Sequence, residues 1–204
     1  MINQIEKIDV SRETYTDLET FQNMVLEWNN KFNLISKSSA EDIWNRHILD
    51  SLQLLKFIND KAEKLYDFGS GAGFPGMVLA IAIKDIFPNL KVSLMESIRK
   101  KTIFLNEVKT RLNLDVDIYN ERVENLKLPK ADIITSRAMA SLEKLLNYAY
   151  PFCKKETELL FLKGKTWEDE IKTALIKWKF DYEAFESITD KDGKILFIKN
   201  IRRK

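Results

Sequence analysis

Apolar residues recur along this chain with two different periods, and the change of period divides it. Over residues 14–35, Leu18, Phe21, Val25, Trp28 and Phe32 fall at spacings of three, four, three and four. That single stripe predicts an amphipathic helix. Thr14 with Asp17 offers a capping box at its start, and Ser39 with Asp42 offers a second one after the break at 36–39. A second helix is expected over 40–58, with Ile43, His47, Ile48, Leu52 and Leu55 on one side. From Lys64 the pattern shortens to strand-like runs at 65–68, 91–96, 116–120, 132–136 and 159–163. Helical stretches at 76–86, 99–112, 142–148 and 167–180 alternate with them, and the end reads as a hairpin of 182–188 and 195–201 about a turn at 191–193. Strands alternating with helices imply a mostly parallel sheet covered on both faces. The expected organisation is an N-terminal helical extension over 1–60 and an α/β domain over 61–204.

Glycine changes this picture most. The chain has six glycines, and four of them lie between Gly69 and Gly76. The segment Asp67-Phe68-Gly69-Ser70-Gly71-Ala72-Gly73-Phe74-Pro75-Gly76 follows the first strand and opens the first helix after it. In a doubly wound sheet a nucleotide-like ligand sits there, against the amide donors and positive dipole of the helix start. Two cofactor classes fit. Gly71-x-Gly73-x-x-Gly76 matches the dinucleotide fingerprint. Asp67-x-Gly69-x-Gly71-x-Gly73 matches the first motif of S-adenosylmethionine (AdoMet) methyltransferases. Glu96, ending the second strand, suits a ribose in either class. Three features favour AdoMet: Asp67 two residues ahead of the first glycine, where a carboxylate meets the methionine end of the cofactor; the helical preface before the sheet; and Arg122-Val123-Glu124-Asn125 after the third strand, where adenine contacts are expected.

Composition adds exclusions. The 204 residues are 45% hydrophobic and 31% charged, as in an ordinary globular protein. One cysteine, Cys153, rules out an internal disulfide and argues against a thiolate metal site, and one histidine, His47, rules out a multi-histidine metal centre. Residues 1–14 lack an apolar core for a signal peptide, and the longest apolar run, 77–83, is too short for a membrane span. A cytoplasmic protein is expected, with no metal and no membrane partner. The net charge of +2 hides an asymmetry: residues 1–60 sum to −4 and residues 61–204 to +6. Basic clusters at Arg99-Lys100-Lys101, Lys154-Lys155, Lys163 with Lys165, and Arg202-Arg203-Lys204 allow a polyanion-facing surface on the second part.

The blocks outside the glycine loop are more specific than the loop itself. Trp28-Asn29, Phe32-Asn33-Leu34 and Arg46-His47-Ile48-Leu49-Asp50-Ser51-Leu52 precede it; Ser136-Arg137-Ala138 and Leu162-Lys163-Gly164 follow it. Together, from about Val10 to Ile198, they resemble the ribosomal RNA small subunit methyltransferase G family, also called glucose-inhibited division protein B. The resemblance implies a class I AdoMet-methyltransferase (Rossmann-like) fold, a mostly parallel seven-stranded sheet with an N-terminal helical extension. It implies AdoMet-dependent methylation of guanine N7 in 16S ribosomal RNA, with the small ribosomal subunit as partner. A monomer is expected. By the same likeness Gly69, Phe74, Val123, Glu124 and Arg137 match the family's cofactor-contact positions. Glu96 stands where the family usually has aspartate.

The residues agree with that chemistry. Guanine N7 carries an in-plane lone pair, so methyl transfer to it needs positioning more than a base. No Asp-Pro-Pro-Tyr or Asn-Pro-Pro-Tyr motif follows the fourth strand; Ser136-Arg137-Ala138-Met139 stands there. Cys153 follows Pro151-Phe152 and reads as a structural thiol. No residue stands out as a catalytic base, and Arg137 is placed at the pocket rim, gripping the cofactor carboxylate, a guanine O6 or a phosphate. Arg46 and His47 are read as a wall of the site facing the target nucleotide, with Arg99, Lys100 and Lys163 on phosphates. Arg46 and Asp50, four apart on a helix, also suit a surface ion pair. The competing readings are a nicotinamide-dependent oxidoreductase on the same loop and a non-catalytic RNA-binding or ribosome-assembly module.

Overall fold

The computed structural model describes residues 10–204; residues 1–9, most of the stretch examined for a signal peptide, lie outside the described residues. Helix α1 (Arg12–Phe32) begins at Ser11, whose hydroxyl accepts the Thr14 N–H at 3.1 Å, and ends at Asn33 in the left-handed conformation with φ 48°. The cap is therefore Ser11, with Thr14 inside the first turn, and not the expected Thr14–Asp17 box. The second helix is not continuous either. Ser36 caps a single turn, α2 (Lys37–Ala40), by accepting the Ser39 N–H at 3.2 Å. A π-helical segment (Trp44–Leu49), α3 (Asp50–Leu52) and a 3-10 turn (Gln53–Phe57) then follow in series. The widened π turn shifts which side chains share a face, a common device at functional sites.

The sheet comprises β1 (Lys64–Phe68), β2 (Lys91–Met95), β3 (Val116–Tyr119), β4 (Ala131–Arg137), β5 (Cys153–Lys163), β6 (Trp178–Glu186) and β7 (Lys194–Arg203). Between them run α4 (Gly76–Ile83), α5 (Arg99–Arg111), α6 (Leu142–Ala149) and α7 (Trp167–Lys177). Strand order is β3-β2-β1-β4-β5-β7-β6. The first five strands are parallel, and β7 runs antiparallel between β5 and β6. A dinucleotide-binding sheet of this kind carries the parallel order 3-2-1-4-5-6. The inserted antiparallel β7 therefore counts against the nicotinamide reading of the glycine loop.

Both faces are covered, as the unbroken apolar strands require. Leu65, Ile133, Leu160, Leu162 and Ile195 face α1, α4 and α5; Tyr66, Phe68, Ile134, Phe161 and Leu196 face α6 and α7. Trp178 corrects the expected helix over 167–180: α7 stops at Lys177, and Trp178 opens β6 with 1% exposure. The alternation Trp-Lys-Phe-Asp-Tyr carries that strand. No helix among the described residues is long and apolar enough to cross a membrane.

The helical preface shares its core with the sheet. Phe21 of α1 is fully buried, its ring 5.4 Å from that of Phe74 in the glycine loop and 6.4 Å from Phe104 of α5. Phe21→Ala is expected to cost about 3–5 kcal/mol in urea unfolding, in one transition for the whole chain. Separate transitions for 1–60 and 61–204 would show the preface to be independent.

Candidate active site

At the carboxyl end of β1 the chain turns into the glycine loop. Gly69 takes φ 67°, and an added Cβ would lie 2.7 Å from Met139 Cγ. Gly76 opens α4 hard against the sheet: a Cβ there would lie 2.3 Å from Leu94 Cδ2 and 2.6 Å from Asp67 Cβ. Beneath the loop Asp67 is fully buried; its Oδ2 accepts the Gly76 N–H at 3.1 Å and its Oδ1 accepts the Thr135 hydroxyl at 2.8 Å. Burial raises its pKa to about 6, against the opposing pull of these hydrogen bonds. Glu96 is also buried, and its two oxygens accept the Gly71 N–H at 2.9 Å and the Ile98 N–H at 2.8 Å.

Over the loop opens a cleft of about 1210 Å³. The turn from Gly69 to Ala72 forms one side of it, the ends of β4 and β5 its floor, the π-helical segment another wall, and residues 187–194 the far rim. Arg46, Lys101, Arg137, Lys163 and Lys194 bring five cations to this lining. Lys194 pairs with Glu186, and two others are each pinned by several bonds. Lys163 is 7% exposed; its ammonium donates to the Ala140 carbonyl at 2.8 Å and to Glu170 Oε2 at 2.7 Å. Glu170 Oε2 also accepts the Leu142 N–H at 2.7 Å, which seats the first turn of α6.

Arg137 is the other. One guanidinium nitrogen donates to the Arg46 carbonyl at 2.8 Å and to Asp50 Oδ2 at 3.2 Å; the second bonds His47 Nδ1. The guanidinium also lies 5.2 Å from the Phe74 ring centre, and the His47 ring stacks on Phe74 at 4.6 Å. A guanidinium only donates, so His47 Nδ1 is the acceptor and the neutral ring carries its proton on Nε2. That Nε2 is the one buried side-chain polar atom without a partner among the described residues. Burial, with Arg137 and Arg46 nearby, lowers the His47 pKa to about 3.

The structure brings Gly69, Gly71, Phe74, Arg46, His47, Arg137 and Lys163 together in the cleft wall. Other expected residues stand elsewhere. Asp67 and Gly73 lie under the loop, where a Cβ on Gly73 would meet Met77 Cβ at 2.7 Å. Glu96 reaches the site only through the Gly71 N–H. Val123 is buried in the core behind β3, and exposed Glu124 lies 3.8 Å from Arg122. Arg99 and Lys100 are exposed outside the wall, and Lys101 of the same basic run faces the cleft instead. The expected Arg46–Asp50 pair is replaced by Arg137–Asp50. Cys153 donates to the Ala149 carbonyl at 3.2 Å, and burial pushes its thiol up to about 12.

A family model described as rRNA small subunit methyltransferase G matches residues 14–200. The ribosomal RNA small subunit methyltransferase G of Rickettsia prowazekii (strain Madrid E) is 42% identical over 194 residues, covering 95% of this chain and 98% of that protein. The protein of the same description from Jannaschia sp. (strain CCS1) is 40% identical over 187 residues, covering 92% and 89%. Among solved structures, the O-methyltransferase from Bacillus cereus in complex with SAH matches with a TM-score of 0.61 at 13% identity, covering 97% and 96%. At that identity the likeness concerns the fold.

The single histidine makes the electrostatics of this site measurable. Unfolded chain takes up a proton on His47 near its ordinary pKa of 6.5, whereas the folded chain waits until about 3. Its contribution to stability is therefore complete above pH 6.5 and is lost as pH falls toward 3. Asp67 acts in the opposite sense, losing stability as pH rises from about 4 to about 6. The imidazole proton resonance is the clean readout: it is expected not to titrate between about pH 5 and 8. A midpoint near the ordinary histidine value would contradict the buried, Arg137-bonded ring.

Proposed function

This chain belongs to the rRNA small subunit methyltransferase G family, and from that premise we propose that it transfers the methyl group of AdoMet to N7 of a guanine in 16S ribosomal RNA. The observation that carries the reading is one cleft with a glycine loop on one side and a cationic wall on the other.

The loop suits the cofactor. Gly71 has φ 58°, and the space where its Cβ would stand holds only the Gly69 carbonyl at 3.8 Å and Lys101 Nζ at 4.0 Å. The backbone is thus open toward the cleft. Gly69, Gly71 and Phe74 are assigned to the body of the cofactor and Arg137 to its carboxylate. Asp67 supports the loop from below. Glu96, Val123 and Glu124 are assigned to the adenosine end by their family positions. When bound, AdoMet supplies a methyl group on a sulfonium, open to in-line displacement.

The rest falls to the protein's own side chains. The N7 lone pair needs no deprotonation, and the cleft matches that requirement. His47 is neutral, and its Nδ1 lone pair is engaged by Arg137. The Asp50 and Glu170 carboxylates are engaged by Arg137 and Lys163. What remains is placement of the base and exclusion of water. Arg46 is exposed at the cleft wall, and Lys101 is half-buried there. Both suit backbone phosphates, which position RNA without reading its sequence. Lys163 is assigned to the same strand of contacts.

Arg46→Ala is expected to cut methyl transfer tenfold or more, on the order of 1.4 kcal/mol, with AdoMet affinity and thermal melting unchanged. Lys163→Ala is expected to do the same at some cost in stability, since it strands Glu170. Transfer at the wild-type rate would remove the RNA role of these cations. The reading as a whole is tested with labelled AdoMet, small-subunit particles and naked rRNA, followed by mass mapping of the labelled nucleotide. Label on guanine N7 is expected. AdoMet binding without transfer to RNA would favour a binding module instead.

A further inference from the structure

Asp50 sits where three separate segments meet. It is the first residue of α3, and its side chain is 15% exposed. Its Oδ2 accepts from Arg137 at 3.2 Å, at the end of β4. Its Oδ1 accepts from Gln53 at 2.8 Å on its own helical run and from the Thr189 hydroxyl at 2.9 Å on the β6–β7 connection. Gln53 completes the tie by accepting the Ile188 N–H at 3.0 Å. Ser187, Thr189 and Asp190 line the far rim of the cleft, and Arg137 lines its floor.

We propose that Asp50 is a positioning residue for methyl transfer: its one carboxylate aims the Arg137 guanidinium at the cofactor side of the cleft and anchors the 187–189 rim opposite. The argument is one of hydrogen-bond inventory. Arg137 has five N–H donors and no acceptor. Its other protein partners, the Arg46 carbonyl and His47 Nδ1, are neutral. Asp50 is the only carboxylate within ion-pair distance of it among the described residues. Without that charge the guanidinium keeps only neutral partners, the Arg46 carbonyl and His47 Nδ1, and the Thr189 hydroxyl and the Gln53 amide lose a shared anionic acceptor. All of these bonds are charge-assisted by the guanidinium, and the one to Asp50, charged on both sides, is the strongest orienting contact. The rim and the cofactor side are thereby set by one group, although their residues lie far apart in the chain.

The inference rests on the assignment of Arg137 to the cofactor, and a double-mutant cycle in AdoMet binding by calorimetry separates the two. Arg137→Ala is expected to weaken AdoMet binding about tenfold or more, and Asp50→Asn about threefold or more, while Asp50→Asn in the Arg137→Ala background adds less than about twofold. Non-additivity is the signature of action through the guanidinium; a merely structural loss would multiply. Asp50→Asn that binds AdoMet as the wild type does, or losses that multiply, would overturn the inference. If Asp50→Asn fails to fold by thermal melt, Thr189→Val decides the matter in the same cycle. It removes one anchor and leaves both charges, and its weakening is expected to vanish when Arg137 is absent. A wild-type chain that binds no AdoMet overturns the functional reading and this inference with it. Unchanged binding in Arg137→Ala alone moves Arg137 away from the cofactor and overturns the inference while the methyltransferase reading stands.

Discussion

A carboxylate removed from water has to find donors, and the whole cleft is arranged around where Asp67 finds them. Its two oxygens take the first free amide of α4 and the hydroxyl of Thr135 on the neighbouring strand. Those two bonds fix β1, β4 and the start of α4 at one point. The bond to Gly76 exists only because that position has no side chain, so the helix start can press against Asp67 itself. Negative charge at a helix start is favourable in its own right. Glu96 repeats the device one strand over, joining the glycine loop to the start of α5 through Gly71 and Ile98. Both acids thus hold the loop from behind, and the surface it offers is largely backbone.

Most of the sheet was legible because its strands are short apolar runs set between periodic helices. The order of seven strands and the helices between them follows from period, although β5 opens at Cys153 and β6 at Trp178, earlier than period places them. The run from 40 to 58 was not legible in detail. Its apolar stripe suits one helix, and nothing in residue type marks where a π turn or a 3-10 turn replaces the α turn. Ser11 and Thr14 are both cap formers, so composition does not choose between them. Trp178 carries the spacing of a helix and the burial of a strand, and tertiary packing decided for the strand.

The site divides along the same line. The glycine loop announces itself because unusual backbone needs an unusual residue. Arg46, His47, Arg137 and Lys163 were found as polar residues in distinctive blocks. The direction of each side chain was another matter. Asp50 looked like a helix-surface partner for Arg46 four residues away, but its partner comes from another strand. Only one lysine of the Arg99-Lys100-Lys101 run turns inward. The rim at 187–189 fell largely within the expected strand 182–188, but β6 ends at Glu186 and leaves it as a connection. These are facts of approach between distant segments, which period and composition do not encode. The charge asymmetry takes on a concrete meaning here. The acidic helical preface delivers Asp50 to the basic half of the molecule, where it orders one of the cations.

The antiparallel placement of β7 bears on how such a molecule is made. Leu159 to Lys163 of β5 pair on one side with β7 alone, and Leu196 and Ile198 of β7 are fully buried. A ribosome adding roughly 5–20 residues each second releases β5 well before β7 exists. For an interval on the order of seconds the nascent sheet ends in an apolar strand with a bare row of amides and carbonyls, the kind of edge that recruits other chains. The floor of the cleft, carried by that same strand, is finished only when the last strand slots between its two neighbours. Synthesis of β5 and completion of the cleft floor are thereby separated in time.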